Sequence, residues 1–351
     1  MASPPRISYQ NGAICLEEIE KAYERLTGHA HVTPIFTSTS LNSIAGCQLY
    51  FKCEVFQKTG SFKYRGAFNA VASLSTNSND APFQFVGVVT HSSGNHGGAL
   101  ALAAKERGIP AYVVVPSDTP RSKQQAIAGY GATLVFCDPG GGMEARESTC
   151  ARIQSETGAT FIHPYNFAPV ICGQGTIGLE LLRQVGDCRL DTIIVPVSGG
   201  GMISGIAVAA KSINPSIQII AAEPAGTNDA ADIAVSKASG KVVELPRPCT
   251  ICDGLKGRLG DLTWPIVRDL VDRVVVVSER QVVDAMKLCY QRLKVVVEPS
   301  GAAGLAAAIA LKSEWQGGSQ EGEKRVGVIL CGGNVDFEER VPDFWDRWLI
   351  A

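Results

Sequence analysis

No uninterrupted apolar run in these 351 residues approaches the length of a membrane-spanning helix, so no membrane partner is expected. Charge of one sign is also lacking. With 32 Lys and Arg against 34 Asp and Glu, the formal net charge of −2 offers no basic surface for a polyanion, which argues against a nucleic-acid partner. The opening Met-Ala-Ser-Pro-Pro-Arg has neither the apolar core of a secretory leader nor the Arg content of a transit peptide. A cytoplasmic protein is expected. The 11 cysteines are odd in number and follow no framework spacing, as for reduced thiols in a reducing compartment. Cys249-Thr250-Ile251-Cys252 is the one Cys-x-x-Cys and lacks a second pair, which disfavours zinc.

What is present is an alternation of strand and helix patterns of the kind that builds parallel sheets. The length exceeds what one core usually supports, and 37 glycines with few aromatics suit two glycine-looped α/β lobes. The first series predicts strands at Phe85–Thr90, Ala111–Val115 and Thr133–Cys137, with helices at Gly97–Arg107, Lys123–Tyr130 and Met143–Glu156, then Thr160–His163. A second series predicts strands at Thr192–Val197, Gln218–Glu223, Arg273–Val277 and Arg325–Leu330, with a helix over Met202–Ala210. Gln316–Lys324 reads as a hydrophilic loop.

Three stretches carry chemistry. Ser61-Phe62-Lys63-Tyr64-Arg65-Gly66-Ala67 follows a Thr59-Gly60 turn and sets one lysine at a small-residue helix start. A lysine amine becomes a nucleophile when desolvation or a neighbouring cation lowers its pKa, and Phe62 and Arg65 are the expected sources here. Taken alone, the tripeptide would more often be a solvated surface lysine. His91-Ser92-Ser93-Gly94-Asn95-His96-Gly97 and Val197-Ser198-Gly199-Gly200-Gly201-Met202 each run from a β-branched segment through glycines into a small-residue helix. Such a turn aims backbone N–H groups and the positive end of the helix dipole at an anion. Neither has the Gly-x-Gly-x-x-Gly spacing or a Walker lysine, and singly each could be an ordinary tight turn.

Together with Cys331-Gly332-Gly333-Asn334, these motifs stand in the order and spacing of the pyridoxal-phosphate enzymes of fold type II, over about Ile14 to Val335. The chain most resembles the family of serine racemases and serine/threonine dehydratases. That resemblance implies a tryptophan-synthase-β-like α/β fold of two doubly wound parallel-sheet lobes. Residues 1–86 and 167–351 would form the large cofactor-binding domain and residues 87–166 the small mobile one. No chain is left after Cys331 for the added regulatory domain of biosynthetic threonine dehydratases, so feedback control through one is not expected.

The resemblance also implies residue roles. Lys63 would carry pyridoxal phosphate as an imine and then act as base at Cα, while Ser93 would serve the opposite face of Cα. Phe62, Gly254 and the phosphate-binding Gly199, Gly200, Gly201 and Met202 would hold the cofactor. Asn95 would meet the ring 3-hydroxyl and Cys331 the ring nitrogen, although a buried core cysteine is the plainer reading of Cys331 alone. Ser92, Ser93, Gly94, Asn95 and His96 would grip the substrate carboxylate, with Arg146 closing over it. Glu223, the Thr227 carbonyl and Asp229 match a Mg²⁺, Ca²⁺ or Mn²⁺ site, hard oxygen donors that otherwise read as a solvated acidic loop. Gly98 and Tyr165 depart from the Gln and Asn of nucleotide-activated relatives, which argues against ATP as an effector.

Three functions remain open at this level. The first is interconversion of L- and D-serine with side elimination to pyruvate and ammonia, in a homodimer acting on a small amino acid. The second is a dehydratase of serine, threonine or 3-hydroxyaspartate, from which Ser93 distinguishes the first, because threonine dehydratases carry Ala there. The third is a non-catalytic binding protein, or a nicotinamide dehydrogenase.

Overall fold

The computed structural model describes residues 7–9, 12–74, 87–186, 189–317 and 323–336. The first two residues of the strand expected at Phe85–Thr90, and most of the Gln316–Lys324 loop, lie outside them.

Two sheets organise the chain. The larger has six strands in the order Arg273–Val277, Gln218–Pro224, Thr192–Pro196, Arg325–Leu330, Gln48–Cys53 and Ile35–Phe36. Its neighbours pair in parallel except at one edge, where Ile35–Phe36 runs antiparallel to Gln48–Cys53. That two-residue strand is too short to leave an alternating pattern in the sequence. The smaller sheet is wholly parallel, in the order Thr133–Cys137, Ala111–Pro116, Val88–His91 and Thr160–Phe161. Thr192–Pro196 and Val88–His91 are buried along their whole length, which is why they read as continuous apolar runs.

Helices cover both sheets, and glycines set how closely those near the site approach. Ala168–Val185 is the hub, packing on Lys63–Ser73 and on Gly201–Ile213. A Cβ at Gly173 would lie 2.6 Å from the Arg65 carbonyl, and one at Gly205 would lie 2.3 Å from the Ile171 carbonyl. The helix bearing Lys63 and the helix behind the glycine loop are thus held to one rigid rod. Beside them runs a buried ionic cluster of Lys52, Glu54, Arg65 and Glu180, none more than 4% exposed.

That cluster corrects the expectation for Arg65. Its guanidinium does not face Lys63; it clasps Glu54 (Nε to Oε2, 2.8 Å; Nη2 to Oε1, 2.9 Å) and Glu180 (Nη1 to Oε1, 2.7 Å). Lys52 Nζ completes the set at 2.7 Å from Glu180. Fully buried charges persist only when paired and hydrogen-bonded, so Arg65 is neutralised locally and anchors its helix.

Candidate active site

The segments around Lys63 and Cys331 meet directly. Phe62 N donates to the Cys331 carbonyl at 3.0 Å, Ser61 and Gly332 form an isolated antiparallel bridge, and Gly333 N donates to the Gly60 carbonyl. Thr59, within this turn, has a left-handed backbone (φ 60°), a conformation that costs energy for a β-branched residue. Two motifs 268 positions apart in sequence (331 − 63) are therefore stitched side by side by backbone hydrogen bonds.

Lys63 begins the helix Lys63–Ser73 and is partly buried; its Nζ donates to the Pro164 carbonyl at 2.9 Å and lies 5.0 Å from the Phe62 ring centroid. Burial pulls the amine down to about 8, against the opposing pull of Cys331 and Glu298. About a tenth of such an amine is neutral at pH 7, against less than about a thousandth of an ordinary lysine, and the neutral form is what a nucleophile or base requires. The Cys331 thiol is fully enclosed, and burial, reinforced by Glu298, raises it well above the usual thiol range, so it stays neutral.

The Ser92–Gly97 loop leads from the strand Val88–His91 into the helix Asn95–Glu106. Gly97 is required by close approach: a Cβ there would sit 2.3 Å from the Ser92 carbonyl. Ser92 and Ser93 are half-buried, and Gly94 N donates to Ser92 Oγ. The Asn95 carboxamide is held at both ends. Its Oδ1 accepts from Asn334 Nδ2 (2.8 Å) and its Nδ2 donates to Glu298 Oε1 (2.9 Å), joining this loop to the Cys331-Gly332-Gly333-Asn334 segment. His96 is buried, with Nε2 against the Ile162 carbonyl at 3.2 Å, and burial lowers it well below the usual imidazole range. Arg146 is half-buried on the helix Gly142–Thr157, and its charge reaches His91 at the base of the loop.

The second glycine loop opens the helix Gly201–Ile213 with left-handed Gly200 (φ 84°) and no side-chain cap. The first N–H groups of that helix have no intrahelical acceptor. A Cβ at Gly199 would fall 2.5 Å from the Tyr165 ring, and one at Gly200 2.8 Å from Thr263. Thr263 Oγ1 bridges to the Gly199 carbonyl at 2.8 Å, and Ser198 Oγ to that of Gly254. Met202 is 6% exposed. The requirements of bound pyridoxal phosphate are met on these observations: a side-chain-free helix start for a phosphate, a lysine of lowered pKa, and buried atoms near Lys63 without partners, namely Thr59 Oγ1, Ser61 Oγ and His96 Nδ1.

The acidic loop lies elsewhere, at the end of strand Gln218–Pro224. Glu223 is 3% exposed and its oxygens accept from Ile233 N (2.9 Å) and Ala234 N (2.8 Å) at the start of helix Asp232–Ser239. Burial and the nearby Asp232 push its carboxyl upward. Thr227 N donates to the Cys249 carbonyl, and Asp229 is left-handed (φ 49°). Among the described residues no three His, Cys, Asp or Glu side chains gather as a metal cage. A cation here would depend on backbone carbonyl and water oxygens beside the two carboxylates.

Sequence reasoning missed Glu298 and His163. Glu298 precedes Pro299 and an alanine-rich run, which reads as an ordinary helix start. Nothing local reveals that it is buried against Asn95, 203 positions away, with burial raising it to about 7.

Among the described residues no helix is long and apolar enough to cross a membrane. Residues 26–332 match the family model described as pyridoxal-phosphate dependent enzyme. A serine racemase of Oryza sativa is 52% identical over 321 residues, 92% of this chain and 91% of that protein. The solved structure of maize serine racemase, 50% identical, superposes with a TM-score of 0.87 and covers 96% of this chain and 98% of that one. The solved T.th. threonine deaminase is 37% identical, with a TM-score of 0.83 over 92% of this chain and 99% of that one. Serine racemase and threonine deaminase structures thus share the two-sheet α/β architecture found here, and this chain belongs to the pyridoxal-phosphate dependent enzyme family.

Proposed function

We propose that this enzyme is a serine racemase that interconverts L- and D-serine and, as a side reaction, eliminates water from serine to give pyruvate and ammonia. The observation that carries this reading is the likeness to serine racemases at half identity over more than nine-tenths of the chain. Bound pyridoxal phosphate supplies an electron sink that acidifies the substrate Cα–H.

The chain's own residues supply the rest. Lys63 would bond the cofactor at rest and serve as base on one face of Cα, and Ser93 would serve the other. Backbone N–H groups of Gly199, Gly200, Gly201 and Met202 would take the phosphate, and Gly254 and Phe62 would flank the cofactor. Asn95 has one Nδ2 proton committed to Glu298, leaving the other for the ring 3-oxygen. The neutral Cys331 thiol would serve the ring nitrogen without a negative charge, which would limit the electron sink and favour proton exchange and β-elimination over transamination. Ser92 to His96 and Arg146 orient the substrate carboxylate. The residues 87–166 would move as the small domain against 1–86 and 167–351. We place the enzyme in the cytoplasm as a homodimer; the ten cysteines among the described residues, Cys249 alone exposed, are all free thiols.

Incubation with L-serine, following D-serine and pyruvate together, tests the reading. Both products should form. Pyruvate without D-serine would instead favour the dehydratase reading that the likeness to threonine deaminase keeps in play.

Glu223, the Thr227 carbonyl and Asp229 are proposed to hold Mg²⁺, Ca²⁺ or Mn²⁺. EDTA should then lower both activity and melting temperature, and the divalent ion should restore both, since a ligand of the folded state alone stabilises it. Glu223→Ala should behave as the chelated wild type. An EDTA-insensitive, well-dialysed protein with a silent Glu223→Ala would leave Glu223 as a helix cap only.

A further inference from the structure

The Pro164 carbonyl that receives Lys63 Nζ belongs to a short irregular turn, residues 163–166, between the strand Thr160–Phe161 and the helix Ala168–Val185. One side chain closes that turn. His163 Nδ1 accepts from Tyr165 N at 3.2 Å and from Asn166 N at 2.9 Å. Two N–H donors on one ring nitrogen fix the tautomer, with the proton on Nε2 and a lone pair on Nδ1. A protonated Nδ1 would leave both amides without an acceptor.

The same turn is anchored on its far side. Asn166 Oδ1 accepts from Leu262 N at 3.0 Å, its Nδ2 donates to Asp261, and the adjacent Thr263 grips the Gly199 carbonyl. The Tyr165 ring packs against Gly199 and stands edge-on to His163 at 4.5 Å. The turn therefore connects the lysine amine to the start of the glycine loop.

We propose that His163 is a positioning residue: by closing this turn it presents the Pro164 carbonyl as the docking point of the Lys63 ammonium whenever that amine is not bonded to the cofactor. The inference rests on Lys63 being the cofactor lysine. When neutral Lys63 takes the substrate α-proton, the C–H electron pair stays with the substrate and Nζ becomes an ammonium with three N–H donors. The Pro164 carbonyl, an acceptor only, takes one of them. A charge-assisted bond of this kind holds the new cation in place for returning the proton. The imidazole suits the task because burial, aided by His91 and Lys63, keeps it down to about 4, so Nδ1 remains an acceptor across the working pH range. The other groups acting on Lys63 are Cys331 at the end of the strand Arg325–Leu330, Glu298 ahead of the helix Pro299–Ala310, and His96 in the helix Asn95–Glu106.

The test titrates Lys63 in the full chain with the cofactor removed. Reductive methylation by formaldehyde and cyanoborohydride at a series of pH values, read at Lys63 by peptide mass spectrometry, reports the fraction of neutral amine. Wild type should give a midpoint near 8. His163→Phe removes the acceptor that closes the turn, so the Pro164 carbonyl is no longer held for the ammonium and the midpoint should fall by about one unit, which raises the neutral fraction and the labelling rate at pH 7 about fivefold. His163→Asn should return it toward wild type, because an Asn side chain accepts from backbone N–H groups just beyond it in a turn. A folded His163→Phe with an unchanged midpoint overturns the proposal, as does His163→Asn shifting as far as Phe. If His163→Phe does not fold, Asn166→Ala, which frees the turn's other anchor, must lower the midpoint, and no shift there overturns the proposal. Borohydride reduction of the holoenzyme separates this from its premise: pyridoxyl on Lys63 with no midpoint shift sinks the positioning role alone, and label on another lysine sinks the premise.

Discussion

Lys63→Ala should abolish turnover while leaving a folded protein that still takes up pyridoxal phosphate without a covalent bond. The two halves of this outcome have separate causes. Cofactor uptake should survive because the glycine loop proposed to bind the phosphate, at Gly199 to Met202, is untouched and is stiffened by Thr263 from outside the lysine segment. The fold survives because the helix Lys63–Ser73 is held by Tyr64, Arg65, Phe68 and Val71, all buried, rather than by the lysine. Turnover is lost because the same amine is proposed as cofactor anchor and Cα base; general-base catalysis alone is worth on the order of 10² to 10⁴ in rate. The visible absorbance of the lysine–cofactor bond should vanish, and the melting temperature should stay near that of wild type. Appreciable turnover by this variant would contradict the mechanism.

Ser93→Ala should convert a racemase into a dehydratase. Inverting the configuration at a planar carbon needs a proton donor and a proton acceptor on opposite faces, and one lysine occupies one face only. With the Ser93 hydroxyl gone, conversion of L-serine to D-serine should fall by about 10²-fold or more, and elimination from D-serine should fall with it. Elimination from L-serine needs Lys63 for proton removal and should persist within a few-fold, measured as pyruvate. The split is what identifies the role. Equal loss of racemisation and L-serine elimination would mean that Ser93 only positions substrate, and intact racemisation would remove the main reason for choosing racemase over dehydratase. A serine hydroxyl is a weak base by itself, so a phosphate oxygen of the cofactor or a water is expected to assist it.

Much of this architecture is written locally. The strands Arg273–Val277 and Arg325–Leu330 fall where their β-branched runs lie, and Gln218–Pro224 and Thr192–Pro196 differ from expectation by one residue at an end. The helix expected over Met202–Ala210 extends to Gly201–Ile213, because a glycine in a helix start and a Ser-Ile pair at its end carry little local signal. Arg65 shows the opposite case. Its closeness to Lys63 in sequence suggested an electrostatic partner, yet residues two apart on a helix do not share a face, and Arg65 turns to Glu54 and Glu180.

By itself the sequence determined the family, the α/β class and the short motifs that hold chemistry, since glycine turns, β-branched runs and a lysine beside them depend on neighbours a few residues away. Only the tertiary structure decided which distant groups set the state of that chemistry. Burial beside Cys331 and Glu298 places the Lys63 amine near 8, Asn334 and Glu298 fix the Asn95 carboxamide, and the His163 turn receives the lysine. Desolvation and hydrogen-bond geometry are properties of packing between segments hundreds of residues apart, and no local pattern encodes them.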